Sequence, residues 1–369
     1  MRLVRNISPI KPGDAYNEAQ LLKFQKRLLA SGHFASAIVY AGSDPQLANA
    51  TPIFVNVVES KSSRVELGAG MSTNRGLRGF AGYIDQNTFD RALQFDARVQ
   101  IDQLSEGVVA GLTLPRNERD WRYGLATGYK RQDIQNEEHT DWSVTSTHAY
   151  LIEEYLSRQS LQLLEENRRV ANVSQEDIIA LYLAQNWDWN RLDDVLAPRD
   201  GYFLGLEVGG SSKDIVSDAS FGRVVGKASY FLPVKTFGTL ALRMETGWLI
   251  ADSRGDIPSA YLFRTGGDTT VRGYKYQSLG VQVGDADVGG RHLLVGSVEY
   301  IQWLTQRLGA AVFYDAGNAV DTTSNFKAAA GYGVGVRWYS PIGGLNFDVA
   351  YGEEVNEYRI HFFAGFVFR

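Results

Sequence analysis

From Arg64 to its end the chain is dominated by alternation. Leu93, Phe95, Ala97, Val99 and Ile101 hold one parity, and Gln94, Asp96, Arg98, Gln100 and Asp102 hold the other. Successive side chains on a pleated strand point to opposite faces, so this segment has one apolar and one polar surface. Roughly sixteen such segments follow one another, many of about ten residues or more, which suits tilted transmembrane strands better than the shorter strands of soluble sheets. They begin near Arg64, Leu77, Arg91, Ser105, Trp121, Trp142, Ser157, Glu176, Tyr202, Asp218, Phe237, Arg291, Leu308, Ala328, Gly343 and Glu357. A soluble sandwich shows the same period with its apolar face inward, so number and length carry the distinction. The pattern predicts an all-β fold, a transmembrane antiparallel β-barrel over residues 61–369 whose even strand count returns the chain to its starting side. In the final segment Ile360, Phe362, Ala364, Phe366 and Phe368 share one face, an apolar stripe suited to lipid. Residues 150–169, with Glu153, Glu154, Glu165, Glu166, Arg168 and Arg169, also fit an amphipathic helix; they read here as two strands and a charged turn, with the charges on a solvated rim.

Residues 1–60 follow another rhythm. Ala19, Leu22, Phe24, Leu28 and Leu29 recur at helical spacings between Asn17 and Ser31, and Gly32 is a plausible stop. Two strand-like pieces follow, Phe34 to Tyr40 and Pro52 to Glu59, paired across a loop containing Ser43-Asp44-Pro45. The chain contains no apolar run of about 18 residues, which removes a transmembrane helix from consideration but leaves a barrel open. Mean hydropathy is only −0.21, as expected where lipid-facing and lumen-facing residues alternate. The 19 tyrosines and 18 phenylalanines are enough to supply aromatic girdles. A net charge of −5 gives no basic footprint for nucleic acid. The absence of cysteine fits an oxidising compartment without requiring one.

One connection is too long to be a turn. Between about Arg254 and Gly290 lies Arg264-Thr-Gly-Gly-Asp268-Thr-Thr-Val271-Arg272-Gly273-Tyr274, where Gly266, Gly267 and Gly273 surround Arg272. Loops of this length inside a compact fold are usually functional or disordered, and glycine serves sharp turns and close approach. Downstream, Glu299 stands alone on the face opposite Val298 and Tyr300, and Asp315 on the face opposite Val312 and Tyr314. If that polar face lines a lumen, Arg272 can meet Glu299, Asp315 and the ring of Phe313 with the bidentate and stacking geometry that suits a guanidinium.

The motifs Val271-Arg-Gly-Tyr274, Ser297-Val-Glu299-Tyr, Phe313-Tyr-Asp315-Ala-Gly-Asn318, Gly331-Tyr-Gly-Val-Gly-Val-Arg337-Trp-Tyr-Ser-Pro341 and Pro198-Arg-Asp-Gly201 together resemble the outer-membrane assembly-factor superfamily. Its members join periplasmic POTRA domains to a sixteen-stranded barrel. Within it, the compact size and the Arg264-Thr-Gly-Gly-Asp268 lead-in are most similar to the TamA branch, the barrel subunits of the translocation and assembly module. The resemblance implies that the loop after the eleventh strand folds back into the lumen as a latch. It also implies unfolded outer-membrane protein clients of the autotransporter kind and a TamB-like partner anchored in the inner membrane. Lys11 to Tyr16 and Ser31 to Phe34 resemble the second half of a POTRA domain, so residues 1–60 are expected to be the periplasmic C-terminal part of one, truncated in a fragment whose export signal is also missing. The last segment resembles the terminal signal of outer-membrane barrels, with His361, Phe366 and Phe368 in its polar and hydrophobic places; Phe363 where glycine is expected and Arg369 after the terminal aromatic depart from it.

A barrel of this kind closes by pairing its first strand, near Arg64 to Thr73, with its last, near Glu357 to Phe368. Gly68 and Gly70 weaken the first strand's interior, and Ala364 and Gly365 lie in the last, so the seam bounded by Leu67 and Phe368 reads as one that opens to accept a client strand. The same glycines also serve simply to relieve crowding in a tilted barrel; the superfamily resemblance favours opening. Other functions compete less well. His139 and Asp141 share a strand face as an acid–base pair would, yet two residues at that spacing arise easily by chance and read as a hydrated rim. His148 has no third group to orient it. Metal clusters, phosphate loops and dinucleotide fingerprints are not visible in the sequence, so neither an enzyme nor a cofactor is expected. The remaining alternatives are a two-partner secretion transporter, which passes an exoprotein through the lumen, and a passive porin.

Overall fold

The computed structural model describes residues 2–42, 50–117, 119–152, 154–171, 174–195, 197–235, 237–340 and 343–368. Ser43, Asp44, Pro45, Glu153, Pro341 and Arg369, each named above, lie outside the described residues, as do the side chains of Gly365 to Phe368.

The N-terminal unit comprises α1 (Arg2–Ile7), α2 (Glu18–Ala30), β1 (Phe34–Ala41) and β2 (Ile53–Glu59). Asn17 starts α2 by accepting the Gln20 N–H through its side chain at 3.2 Å, as an N-cap should. Gly32, at φ +79°, lies just beyond the helix's end. The buried stripe is Leu21, Phe24 and Leu28; Leu22 and Leu29 of the expected stripe are exposed instead. The stripe packs on one face of the antiparallel β1–β2 pair, together with Ile7 of α1, a helix that the sequence pattern did not suggest.

Sixteen strands then close on themselves as an antiparallel barrel. They are β3 (Ser63–Ser72), β4 (Gly76–Thr88), β5 (Leu93–Ile101), β6 (Ser105–Thr113), β7 (Trp121–Ile134), β8 (Glu137–Ile152), β9 (Tyr155–Val170), β10 (Ser174–Leu192), β11 (Gly201–Ser211), β12 (Phe221–Val234) and β13 (Gly238–Ile250), continuing after a long loop with β16 (His292–Trp303), β17 (Leu308–Val320), β18 (Ala329–Ser340), β19 (Gly343–Gly352) and β20 (Glu357–Phe368). The loop carries its own short hairpin, β14 (Val281–Val283) and β15 (Ala286–Val288). Closure matters because an unpaired backbone N–H or C=O in lipid costs several kcal/mol, and a closed barrel leaves no edge. Most outward positions are apolar and exposed, as Val65, Leu67, Val99, Ile101, Val298, Val312, Val334 and Ile360 show.

Two expectations need correction. Of the charges expected on a solvated rim, Glu154, Glu165 and Arg169 are exposed, but His139, Asp141, Glu166 and Arg168 are buried, as is Glu137, where β8 begins five positions before Trp142. The long loop covers the buried ones, which strand parity cannot reveal. The lumen is also not uniformly polar. Leu293 and Val295 of β16 face inward, where they join Ile257, Tyr261, Phe263, Val271 and Tyr274 of the loop in one apolar core. Burying that surface is what draws a 41-residue connection, residues 251–291, inside the barrel.

Candidate functional site

The loop from β13 to β16 descends from the barrel end opposite the N-terminal unit. Gly266, Gly267 and Gly273 all have positive φ, at +104°, +110° and +96°, the left-handed region that side chains disfavour. These turns deliver Val271, Arg272 and Tyr274 to the interior, each almost completely buried.

Arg272 meets all three groups expected of it. Its Nε donates to Asp315 Oδ2 at 2.6 Å and its Nη2 to Asp315 Oδ1 at 2.8 Å, a bidentate pair. Its Nη1 donates to Glu299 Oε2 at 2.7 Å, and its backbone N–H to Asp315 Oδ2 at 3.1 Å. The guanidinium carbon lies 3.4 Å from the centre of the Phe313 ring. Glu299 is 1% and Asp315 0% exposed, so neither carboxylate is open to bulk water. Burial opposes the charge on Arg272, but the hydrogen bonds and charge of Asp315, followed by Glu299 and Asp348, outweigh it and raise its pKa. Tyr274 donates from its hydroxyl to the Ala330 carbonyl at 3.0 Å.

Three further residues complete the network. Arg337 donates to Glu299 at 3.0 Å through both Nε and Nη2, and to Asp348 Oδ1 at 2.6 Å. Asp348 Oδ2 also lies 3.6 Å from Arg272 Nη1. His361 of β20 accepts the Gly273 N–H through Nε2 at 2.9 Å. Each occupies an inward position on its strand; Arg337 also stands in the Gly331–Pro341 motif and His361 in the terminal signal, but neither parity nor motif says which lumenal charges meet.

The loop is held on its other side as well. Arg264 forms an ion pair with Glu137, and Ser259 donates its N–H to Glu166 at 2.9 Å and its hydroxyl to Glu137 at 2.6 Å. Arg168 reaches the Ile257 carbonyl at 3.0 Å. Here His139, Asp141 and Glu166 present potential ligand atoms within 4.8 Å of one another. Each already has a protein partner: His139 Nδ1 is 3.0 Å from Asp141, and Glu166 takes the Ser259 amide.

Among the described residues the seam joins Phe363–Phe368 of β20 to Leu67–Ser72 of β3 in six register pairs. The flanking β19–β20 and β3–β4 ladders have ten each, so this is a short joint. Leu67 is exposed and faces outward, opposite Phe368; Ala364, on the same outward face, is buried among its neighbours. Gly68 and Gly70 face the lumen, where a Cβ at Gly68 would collide with the Phe80 ring and one at Gly70 would come within 2.7 Å of Arg78 Nε. These two glycines therefore relieve crowding, and the weakness of the seam lies in its length. Gly365 pairs with Gly70.

The sequence profile of the Omp85 superfamily domain matches residues 58–368. The chain belongs to the Omp85 superfamily. Outer membrane protein assembly factor BamA of Nitratidesulfovibrio vulgaris is 23% identical over 371 residues, covering 95% of this chain and 46% of that protein. The chain thus spans about half the length of the curated relative it matches. BamA from Haemophilus ducreyi lacking POTRA domains 1-3 shares the fold with a TM-score of 0.84 at 16% identity, covering 100% of this chain and 82% of that one. CdiB from Acinetobacter baumannii aligns with a TM-score of 0.66 at 13% identity, covering 99% and 71%. With its apolar outer face, the Omp85 barrel described here is an outer-membrane β-barrel.

At Gly331 of this Omp85 site a Cβ would collide with the Arg272 carbonyl. Gly331→Ala is expected to destabilise the seated loop by about 1–3 kcal/mol through overpacking. Limited proteolysis of the folded barrel checks this: cleavage between residues 251 and 291 should accelerate.

Proposed function

We propose that the protein inserts and assembles unfolded outer-membrane proteins, acting through the seam between β3 and β20. The observation that carries this reading is the six-pair joint, which leaves Glu357–His361 of β20 without β3 alongside. An unpaired edge is a template for another strand, and a client strand added there would have its backbone satisfied inside the lipid. The work is strand exchange, and no covalent step is assigned to any residue. The likeness to the assembly factor BamA supports the reading.

The finer assignment is to the TamA branch, with autotransporter-like clients and a TamB-like partner anchored in the inner membrane. Residues 1–60 serve as the periplasmic C-terminal part of a POTRA domain; their helix on a two-stranded sheet supports this, and Arg27 of α2 pairs with Asp120 beside the β6–β7 turn at 3.0 Å, setting the unit under the barrel. A secretion transporter is the second reading, favoured by the likeness to CdiB. A passive porin fits poorly, because the latched loop occupies the bore. Depleting the protein from its own bacterium separates the two main readings. Loss of folded autotransporter barrels with exoprotein release intact supports assembly; the reverse result would transfer the assignment to secretion.

A further inference from the structure

We propose that the lumenal loop is a clasp on the seam: it ties the last strand to the first hairpin above the point where their ladder stops, so that releasing the loop and opening the seam are coupled. This deepens the insertion reading and rests on it for its purpose, but the clasp itself is a property of the barrel without a client.

The ladder between β3 and β20 ends at Ser72 and Phe363. One last pair of contacts follows, Thr73 N–H to the Phe362 carbonyl at 3.2 Å and Phe362 N–H to Thr73 Oγ1 at 3.2 Å. Above it, Glu357–His361 continues beside β19 but has no strand partner on its other edge among the described residues. The first inward side chain above the break is His361, buried, and its Nε2 takes the Gly273 N–H at 2.9 Å. Accepting there places the ring proton on Nδ1, which has no hydrogen-bond partner among the described residues. Gly273 also lies against β19, since a Cβ on it would be 2.7 Å from the Gly352 nitrogen. The loop therefore bears on the last strands just where the first strand gives out.

The same loop holds the other lip. A Cβ on Gly267 would sit 2.6 Å from Asn74 Nδ2, in the turn between β3 and β4. The Arg75 guanidinium of that turn lies 5.7 Å from the centre of the Tyr276 ring and is held in place by Asp102 and Ser105. Between residues 267 and 276 the chain thus leaves the first hairpin, touches β17, β19 and β20 through Arg272 and Gly273, and returns to the first hairpin. A segment with that path spans the joint from inside. Opening the seam while the loop stays seated would break the His361 contact or pull Tyr276 from Arg75.

Hydrogen exchange on the full-length protein in lipid nanodiscs, with no client present, tests this directly. In His361→Ala, which leaves the Gly273 N–H unpaired, amides of residues 67–72 and 363–368 should exchange roughly fivefold faster, the equivalent of one ordinary hydrogen bond. Amides of the β16–β17 ladder should stay protected, showing that the barrel is folded. His361→Gln, whose amide oxygen can accept the same N–H, should restore slow exchange. Ser259→Ala removes a 2.6 Å hydrogen bond from the loop to Glu137 of β8, away from the seam and from residues 267–276, and should leave the seam unchanged. Unchanged seam exchange in both His361→Ala and Arg75→Ala would overturn the clasp, as would equal acceleration by Ser259→Ala, which would mean general loosening. Either result leaves insertion standing, whereas a clasp demonstrated in a protein that assembles no client would overturn insertion alone.

Discussion

Arg272→Ala is expected to unpin the lumenal loop and to abolish most assembly activity. The substitution removes the bidentate partner of Asp315 and one of the donors to Glu299, leaving two fully buried carboxylates with less compensation. Breaking a buried ion pair by deleting one side costs roughly 3–5 kcal/mol, because the remaining charge stays desolvated. Arg337 still serves Glu299, but no other side chain hydrogen-bonds Asp315 among the described residues, so the loss centres there. Charge reversal at Asp315 should give a similar defect. Arg272→Lys should fall between, since an ammonium keeps the charge but loses the planar fork and the stacking on Phe313. Proteolysis of the loop and the yield of assembled client are the two readouts. If Arg272→Ala leaves both unchanged, the latch assignment is wrong.

The second large effect is expected from locking the seam. Met71 and Ala364 are register partners across it, and directly opposed residues in antiparallel strands lie about 4.5–5.5 Å apart at Cα, within the range a disulfide accepts. The chain has no cysteine, so Met71→Cys with Ala364→Cys introduces one defined pair. Oxidised, this variant should remain a folded barrel and assemble no client; reduction should restore activity. Val349→Cys with Ile360→Cys, on the neighbouring β19–β20 ladder, should form its bridge with little effect. Full activity with the seam bridged would exclude strand exchange at that joint.

Much of this molecule was legible because a barrel strand repeats with period two. The starts of β6, β7, β17, β19 and β20 fall on the residues that alternation marks, and parity alone placed Glu299 and Asp315 on the lumenal face. Parity gives direction but neither depth nor cover. It could not reveal that Arg337 and Asp348 converge on the same carboxylate cluster, because a lone inward charge in a barrel is ordinarily solvated. It misread His139, Asp141, Glu166 and Arg168, though not Glu154, Glu165 or Arg169, for the same reason: polar residues at a strand's end resemble a rim until a loop from more than ninety residues away buries them, as Ser259 does to Glu166. The inward Leu293 and Val295 found their explanation only in the loop's apolar side. The seam glycines were read as weakness, whereas their spaces receive Phe80 and Arg78.

The central claim is that clients enter through the joint between β3 and β20, and Leu67 sits on its outer face opposite Phe368. A photo-crosslinking residue at position 67 of the full-length protein, activated in a bacterial outer membrane during client assembly, tests it most directly. The account predicts crosslinks to client strands. Illumination during active assembly that captures no client at position 67 would contradict it.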